Sequence, residues 1–535
     1  MELDRLACDR ARRSRDARFD GRFFIAVTST KIYCRPICPA RSPNDENIRY
    51  YPTAAAAEAA GFRPCLRCRP EASPGTPAWL GTSGSVSRGL RLINEGALDR
   101  EGVEQLSDRL GVTARHLRRL FFQHLGATPL QVAMTRRVHF AKKLLDETTL
   151  PFAQVAFASG FGSLRRFHAQ IQRTYSRTPT ELRKKQSPSG MAQADLSRRR
   201  STSGEPAKSD SYRLTLAYRP PYDWDALMAF LSARATPGIE SVTSSCYRRT
   251  IAIDGQTGTI QVQRLAAKPA IELAVRFPDS RALLCIVERV RRMFDLAADP
   301  LVIAEHLAGD DLLGGILKRH PGIRTPGAWD GFELAVRAVL GQQVSVAAAT
   351  TMAGRLTRKF GAPLDADDGL DRIFPTPTQL ANAPIEEVGV IKARAEAIRA
   401  LARAVNTGAI AFAAAPGAPD AMPALRSLPG IGPWTAQYIA IRALGEPDAF
   451  PSGDLILRRM AGDCTSRELD QRSERWRPWR AYAVMLLWQA ASDRRATTEP
   501  GKTDHLRRTR HAHASSSPLL GRTARVHRAV GGGSR

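Results

Sequence analysis

Four cysteines in two short pairs, Cys34-Arg-Pro-Ile-Cys38 and Cys65-Leu-Arg-Cys68, constrain this chain more than any other feature. Each pair can supply one edge of a ligand tetrahedron and the segment between them closes the site, the spacing that tetrahedral Zn2+ requires. A zinc centre with four thiolates is doubly negative. Five arginines (Arg35, Arg41, Arg63, Arg67 and Arg69) lie in or beside the pairs. They could stabilise that charge or guide a phosphate backbone towards it. Taken alone, such a cluster reads first as a passive clip that holds a small fold together. The other four cysteines (Cys8, Cys246, Cys285 and Cys464) are scattered, so no disulfide framework is expected and a reducing, cytoplasmic setting is.

Charge decides the class of partner. The chain of 535 residues carries a formal +27, unevenly spread. Residues 77–186 hold 18 Lys/Arg against 8 Asp/Glu, whereas residues 212–492 contribute only 33 against 29. A basic helical block beside a nearly balanced large one points to a nucleic-acid partner, DNA or RNA, although an acidic membrane surface would attract the same charge. Double-stranded DNA is what the resemblances below imply. No run of apolar residues is long enough to span a bilayer, so no membrane partner is expected.

The residues around the cysteines give the first family resemblance. Phe19-Asp-Gly-Arg-Phe23, Ile32-Tyr-Cys-Arg-Pro-Ile-Cys38 and Ala60-Gly-Phe-Arg-Pro-Cys-Leu-Arg-Cys-Arg-Pro-Glu71 closely resemble the N-terminal zinc domain of the Ada family. Residues 1–76 are assigned to it. The resemblance implies that Cys34 accepts a methyl group from a DNA methylphosphotriester, and that Cys34, Cys38, Cys65 and Cys68 ligate one Zn2+. Arg35 and Arg67 are the candidate DNA contacts. Within this domain Phe23–Thr28 and Lys31–Tyr33 read as strands, and Ala54–Ala60 as a helix stopped by Gly61.

Residues 84–185 carry two helix-turn-helix patterns. Leu106, Leu110, the turn Gly111-Val112 and a helix from Thr113 make the first; Val155, the turn Ser159-Gly-Phe-Gly162 and a helix from Ser163 make the second. Arg115, Arg118 and Arg119 on one second helix, and Arg165 and Arg166 on the other, suit a major groove and its phosphates. The closing Tyr175-Ser-Arg-Thr-Pro-Thr-Glu-Leu-Arg183 is similar to the end of AraC-type DNA-binding domains. The resemblance implies promoter DNA and RNA polymerase as partners. A polar linker is expected over 186–211.

From Tyr212 alternating strands begin, and Arg219-Pro-Pro-Tyr-Asp-Trp224 with Phe230-Leu-Ser-Ala-Arg234 resembles the antiparallel N-terminal domain of AlkA-type glycosylases, assigned to 212–305. An all-helical domain is expected over 306–492. There, Leu428-Pro-Gly-Ile-Gly-Pro-Trp-Thr-Ala-Gln-Tyr438 is a helix-hairpin-helix pattern. In it Gly430 and Gly432 allow a tight turn whose amides can meet a phosphate. The family resemblance implies a monovalent cation at the carbonyls of Leu428 and Gly430, a catalytic Asp454, and a base pocket of Trp434, Tyr438, Trp488 and Phe230. Asp454 also fits a helix N-cap, and the aromatics also fit a core. The resemblance places Gln343 where an apolar wedge fills the gap left by a flipped base. A lysine able to form a Schiff base would sit at Trp434, so base removal without strand cleavage is expected. The tail over 493–535, rich in Arg, His, Ser and Gly, is expected to be disordered.

The resulting expectation is a multidomain chain, mainly α with α+β parts. It would sense and regulate through its N-terminal half and excise alkylated purines, 3-methyladenine and 7-methylguanine, through its C-terminal half. The alternative is a damage-responsive transcription factor whose glycosylase-like half is only a DNA-binding scaffold.

Overall fold

A computed structural model describes residues 4–74, 84–184, 211–365, 369–412 and 421–498. The linker expected over 186–211 therefore lies outside the described residues, apart from Ser211. The chain opens on a helix that the sequence reading did not foresee, α1 (Arg5–Ser14). Its apolar residues are few, so periodicity is weak. It is fixed instead by polar contacts, Arg12 reaching Asp45 at 2.6 Å. Behind it stands a four-stranded sheet in the order β3-β1-β2-β4, built from β1 (Phe24–Val27), β2 (Ile32–Cys34), β3 (Ile48–Tyr51) and β4 (Arg63–Pro64). The helix α2 (Ala54–Ala59) ends before Gly61, whose φ of 85° lies in the left-handed region.

Eight helices follow: α3 (Gly84–Asn94), α4 (Ala97–Arg100), α5 (Val103–Arg109), α6 (Ala114–Leu125), α7 (Pro129–Glu147), α8 (Phe152–Ala158), α9 (Leu164–Tyr175) and α10 (Pro179–Lys184). The long α7 separates two helix-turn-helix units, α5–α6 and α8–α9. Both second helices are capped at their N-termini: Thr113 accepts from the His116 N–H at 3.2 Å and Ser163 from the Arg166 N–H at 3.3 Å.

The second unit is not an independent body. Phe161, Phe167, Ile171 and Tyr175 share one core with Leu214, Leu216, Val262 and Leu273 of the next sheet. That sheet is fully antiparallel, ordered β5-β9-β8-β7-β6, from β5 (Ser211–Ala217), β6 (Glu240–Val242), β7 (Cys246–Ile253), β8 (Gln256–Leu265) and β9 (Ala270–Arg276). Packing also joins the zinc domain to α7, where the Tyr33 hydroxyl donates to Glu58 at 2.8 Å and Thr135 donates to the same carboxylate at 2.7 Å. Arg22 pairs at 2.9 Å with the buried Asp299 of the C-terminal half.

Two sequence boundaries move. The break drawn at 305/306 falls inside the helix Pro300–Leu307, whose Ile303 and Leu307 pack with Leu457, Trp476 and Trp479 of the C-terminal helices. The tail drawn from 493 begins too early, because the last helix runs Arg480–Thr498. Asp493 holds it there, facing His320 at 2.8 Å and accepting from Gln489 at 3.0 Å. Residues 499–535 lie outside the described residues. No described helix is long and apolar enough to cross a membrane.

Candidate metal centre and candidate base pocket

The knuckle is assembled by strand register. β2 runs parallel to β4 with Tyr33 opposite Pro64, which sets Cys34 at the end of one strand beside Cys65 just after the other. The Cys65 N–H donates to the Tyr33 carbonyl at 3.0 Å. Tight turns then bring in Cys38 and Cys68. The four sulfurs lie within 4.8 Å of one another. Thiolates ~2.3 Å from a tetrahedral Zn2+ stand about 3.8 Å apart, so these four fit one ion. Cys65 and Cys68 are buried while Cys34 and Cys38 are half-buried, so the open edge of the cluster includes Cys34.

Arg35 departs from its expected role. It is buried, reaches Asp20 with two nitrogens (Nε at 2.8 Å), and donates to the Cys68 carbonyl at 3.0 Å. Its backbone N–H points at the Cys68 sulfur at 3.3 Å. An arginine tied this way stiffens the knuckle, its guanidinium being engaged within the protein. Arg67, by contrast, is exposed. Arg69 leans away from the centre and pairs with Asp146 of α7 at 2.6 Å.

On α6 the side chains of Leu117, Phe121 and Leu125 are fully buried, which leaves Arg115, Arg118 and Arg119 exposed. Arg118 pairs with Glu104 at 3.0 Å across an exposed surface, a link worth little in water. On α9 burial of Phe167 and Ile171 likewise leaves Arg165 and Arg166 in solvent. The arginines of α7 face inward: Arg136 and Arg137 both hold Asp99.

In the C-terminal half the hairpin joins the helix Ala421–Ser427 to the helix Pro433–Ile439. Gly430 has φ 79°, and a Cβ there would stand 2.7 Å from the Ala397 Cβ, so only glycine fits. Gly432 is exposed with open space around it. The two carbonyls expected at a cation already have protein donors, Leu428 from the Ile431 N–H at 3.2 Å and Gly430 from Gln342 at 2.7 Å. Gln342 also bonds the Thr435 hydroxyl at 3.0 Å, fastening the neighbouring loop to the hairpin. Gln343 beside it is exposed, with φ 53°, at the tip of that loop.

Asp454 takes the helix N-cap position that the sequence offered for it, and its second oxygen stands among the aromatics. Its Oδ1 caps the helix Leu455–Met460, accepting from the N–H groups of Ile456 at 2.9 Å and Leu457 at 3.0 Å. Its Oδ2 accepts from the Trp434 indole at 2.9 Å, and the Trp488 indole lies 3.4 Å from Oδ1. Capping therefore aims the carboxylate, because one oxygen is held by the backbone while the other faces the aromatics. Trp434 stacks on Tyr438 with ring centres 5.4 Å apart, and Tyr438 meets Trp488 at 6.0 Å. All three rings are half-buried, so they form an open-sided wall and not a sealed core.

Phe230 fits this wall less simply than expected. It lies against Trp488 at 6.3 Å, and two guanidiniums already lie over its ring, Arg234 at 3.8 Å and Arg442 at 4.8 Å. Sequence reading passed over both arginines. The available signal was spacing: Arg234 and Arg442 each follow an aromatic, Phe230 and Tyr438, by four positions, Arg234 just beyond the end of the helix Trp224–Ser232.

Four segments of the chain match known protein families. Residues 7–71 match the metal binding domain of Ada, 106–185 a helix-turn-helix domain, 213–330 the AlkA N-terminal domain, and 336–477 the HhH-GPD superfamily of base excision DNA repair proteins. Over 493 residues the chain is 42% identical to a probable bifunctional transcriptional activator/DNA repair enzyme AlkA of Mycobacterium tuberculosis, spanning 91% of this chain and 97% of that one. It is 34% identical over 278 residues to DNA-3-methyladenine glycosylase 2 of Escherichia coli (51% of this chain, 96% of that one). It is 39% identical over 116 residues to the bifunctional transcriptional activator/DNA repair enzyme Ada of Escherichia coli (22% and 31%).

Proposed function

The chain belongs to the family of bifunctional transcriptional activators and DNA repair enzymes that join an Ada zinc domain to an AlkA glycosylase, and from that premise we propose which groups act and on what. Cys34 takes a methyl group from a methylphosphotriester. Asp454 drives release of alkylated purines such as 3-methyladenine and 7-methylguanine. The observation that carries the second assignment is the held geometry of Asp454, a carboxylate aimed by a helix N-terminus and an indole N–H at the edge of an aromatic wall.

At the knuckle the Cys34 sulfur attacks the methyl carbon, the carbon–oxygen bond breaks, and the phosphodiester leaves as its anion. Cys34, Cys38, Cys65 and Cys68 would hold Zn2+, which when bound would keep the sulfur deprotonated at neutral pH. The thioether product lacks one negative charge, so repulsion between the knuckle and DNA phosphate falls and affinity for DNA rises. The exposed arginines of α6 and α9, with Arg67, supply the phosphate and base-edge contacts, and promoter binding recruits RNA polymerase.

In the pocket, an alkylated purine flipped from the duplex lies against Trp434 and Trp488. Its glycosidic bond breaks towards a cationic sugar, which the Asp454 carboxylate stabilises while orienting water. Gln343 fills the vacated space in the stack, and Gly430 and Gly432 offer amides to a phosphate. With tryptophan at position 434 no amine is available for a Schiff base, so the strand stays intact.

Release of free 3-methyladenine from methylated DNA tests the enzyme claim against the scaffold alternative. We expect Asp454→Asn to lower the rate about 10³-fold, roughly 4 kcal/mol of barrier. Absence of release by the wild type contradicts the assignment.

A further inference from the structure

Behind the aromatic wall the charges do not balance. Arg234, Arg249, Arg337 and Arg442 line a small void together with three acidic residues, Glu240, Asp330 and Glu333, of which Asp330 caps a helix by accepting from the Glu333 N–H at 2.9 Å. Arg249 takes Glu333 at 2.6 Å, and Arg337 takes Glu240 at 2.9 Å and Glu333 at 3.2 Å. That leaves Arg234 and Arg442 with no carboxylate partner among the described residues. Arg442 instead donates to the carbonyls of Pro326 and Gly327 and, at 2.9 Å, to the Tyr438 hydroxyl. Arg234 donates to the Phe230 carbonyl at 3.3 Å. A buried guanidinium without a counter-charge is unfavourable unless negative charge arrives in front of it. What lies in front of this pair is the wall formed by Phe230 and Tyr438.

The negative group stands at the other end of the same stack. Asp454 is attached to Trp434, Arg442 to Tyr438, and the two rings are stacked. The Tyr438 oxygen accepts from Arg442, and its own proton finds no acceptor among the described residues. Burial alone would raise its pKa, but Arg442, Arg234 and Arg337 outweigh burial and pull it below the ordinary phenol value, which makes it a stronger donor.

We propose that Tyr438, backed by Arg442 and Arg234, is the positive pole of the glycosylase site and takes up the negative charge that develops on a departing neutral purine. The proposal rests on the glycosylase reading given above. When the C1′–N9 bond of a neutral purine breaks, the electron pair stays on N9 and the sugar is left cationic. Asp454 faces the cation, and the Tyr438 hydroxyl donates a hydrogen bond to the anion. Water then adds to C1′ and gives up a proton to solvent, and the purine anion takes up a proton from solvent, so the sum is hydrolysis. A cationic alkylpurine leaves as a neutral molecule. It draws nothing from the positive pole and depends on the faces of Trp434 and Trp488. Tyr438 is thus the group that touches the base, and Arg442 and Arg234 are positioning residues acting through it.

The test compares single-turnover release of hypoxanthine (neutral) and 7-methylguanine (cationic) from otherwise identical duplexes by the full chain. Arg442→Met should lower hypoxanthine release about 100-fold more than 7-methylguanine release, the low end of the range for loss of one preorganised charge-stabilising group. Arg442→Lys, which keeps the charge, should recover most of that difference, a rescue that loss of packing alone would not produce. Tyr438→Phe should shift the ratio the same way by about tenfold, the value of one hydrogen bond, and decides the matter if Arg442→Met does not fold. Equal losses on both lesions, or a larger loss on the cationic one, overturn the proposal. A wild type that releases 7-methylguanine but no hypoxanthine overturns it and leaves the glycosylase reading standing. A wild type that releases neither overturns both.

Discussion

Cys34 and Asp454 are held in opposite ways. Cys34 sits at the end of a three-residue strand in a sheet whose strands are at most four residues long, and its position depends on three other sulfurs and one buried arginine–aspartate pair. So little apolar material would hardly fold alone, and the metal completes it. Asp454 instead rests on a large helical core, and two N–H groups and an indole fix it before any ligand arrives. In the proposed function Cys34, as a methyl acceptor, is used once and needs reactivity and an open edge. A hydrolytic carboxylate is used repeatedly and needs rigidity.

The strongest way to break this comparison is to remove the metal. A structural zinc contributes roughly 10 kcal/mol to the fold that holds it. A strong chelator, or Cys65→Ser, should therefore leave residues 4–74 open to protease while 3-methyladenine release persists. If base release disappears together with the metal, the two centres are not separately supported.

Two arginines sharpen the comparison within the knuckle. Arg35→Ala strands Asp20 as a buried unpaired charge, and should destabilise the knuckle by about 3–5 kcal/mol. Arg67→Ala should change stability by less than about 0.5 kcal/mol, yet weaken DNA binding and lower the salt slope by about one. Thermal unfolding and binding titrations across salt separate them. The reverse pattern would mean that Arg35 leaves Asp20 to meet DNA.

The smallest effect is read at Asp454. Asparagine caps a helix about as well as aspartate, so Asp454→Asn should melt close to wild type while Asp454→Ala loses about 1 kcal/mol. Both should be inactive. If activity follows stability through the pair, the carboxylate serves as a cap and not as a catalyst.

What could be read in advance follows the same division. Metal ligands separated by two and three residues announce themselves, and so do capped helices such as α6 and α9, whose Thr113 and Ser163 precede clear apolar stripes. Arg35 misled because an arginine beside a metal ligand looks like a phosphate contact, and nothing in the sequence pairs it with Asp20, fifteen positions away. The pocket aromatics came from resemblance and not from pattern, since an aromatic at helical spacing reads as core. Arg234 and Arg442 were invisible for a related reason. Arginine on a helix reads as solvated surface until a fold surrounds it. The helix α1, half of it charged, escaped because burial of Cys8 and Ala11 gives no readable apolar stripe.

The most direct test is stoichiometric. The full chain is incubated with a large excess of methylated DNA, the protein is mapped by mass spectrometry and the released bases are counted. The account predicts one added methyl per chain, on Cys34, reached and not exceeded, while released 3-methyladenine climbs well beyond one per chain. An unmodified Cys34, or base release that stops at one equivalent, would contradict it.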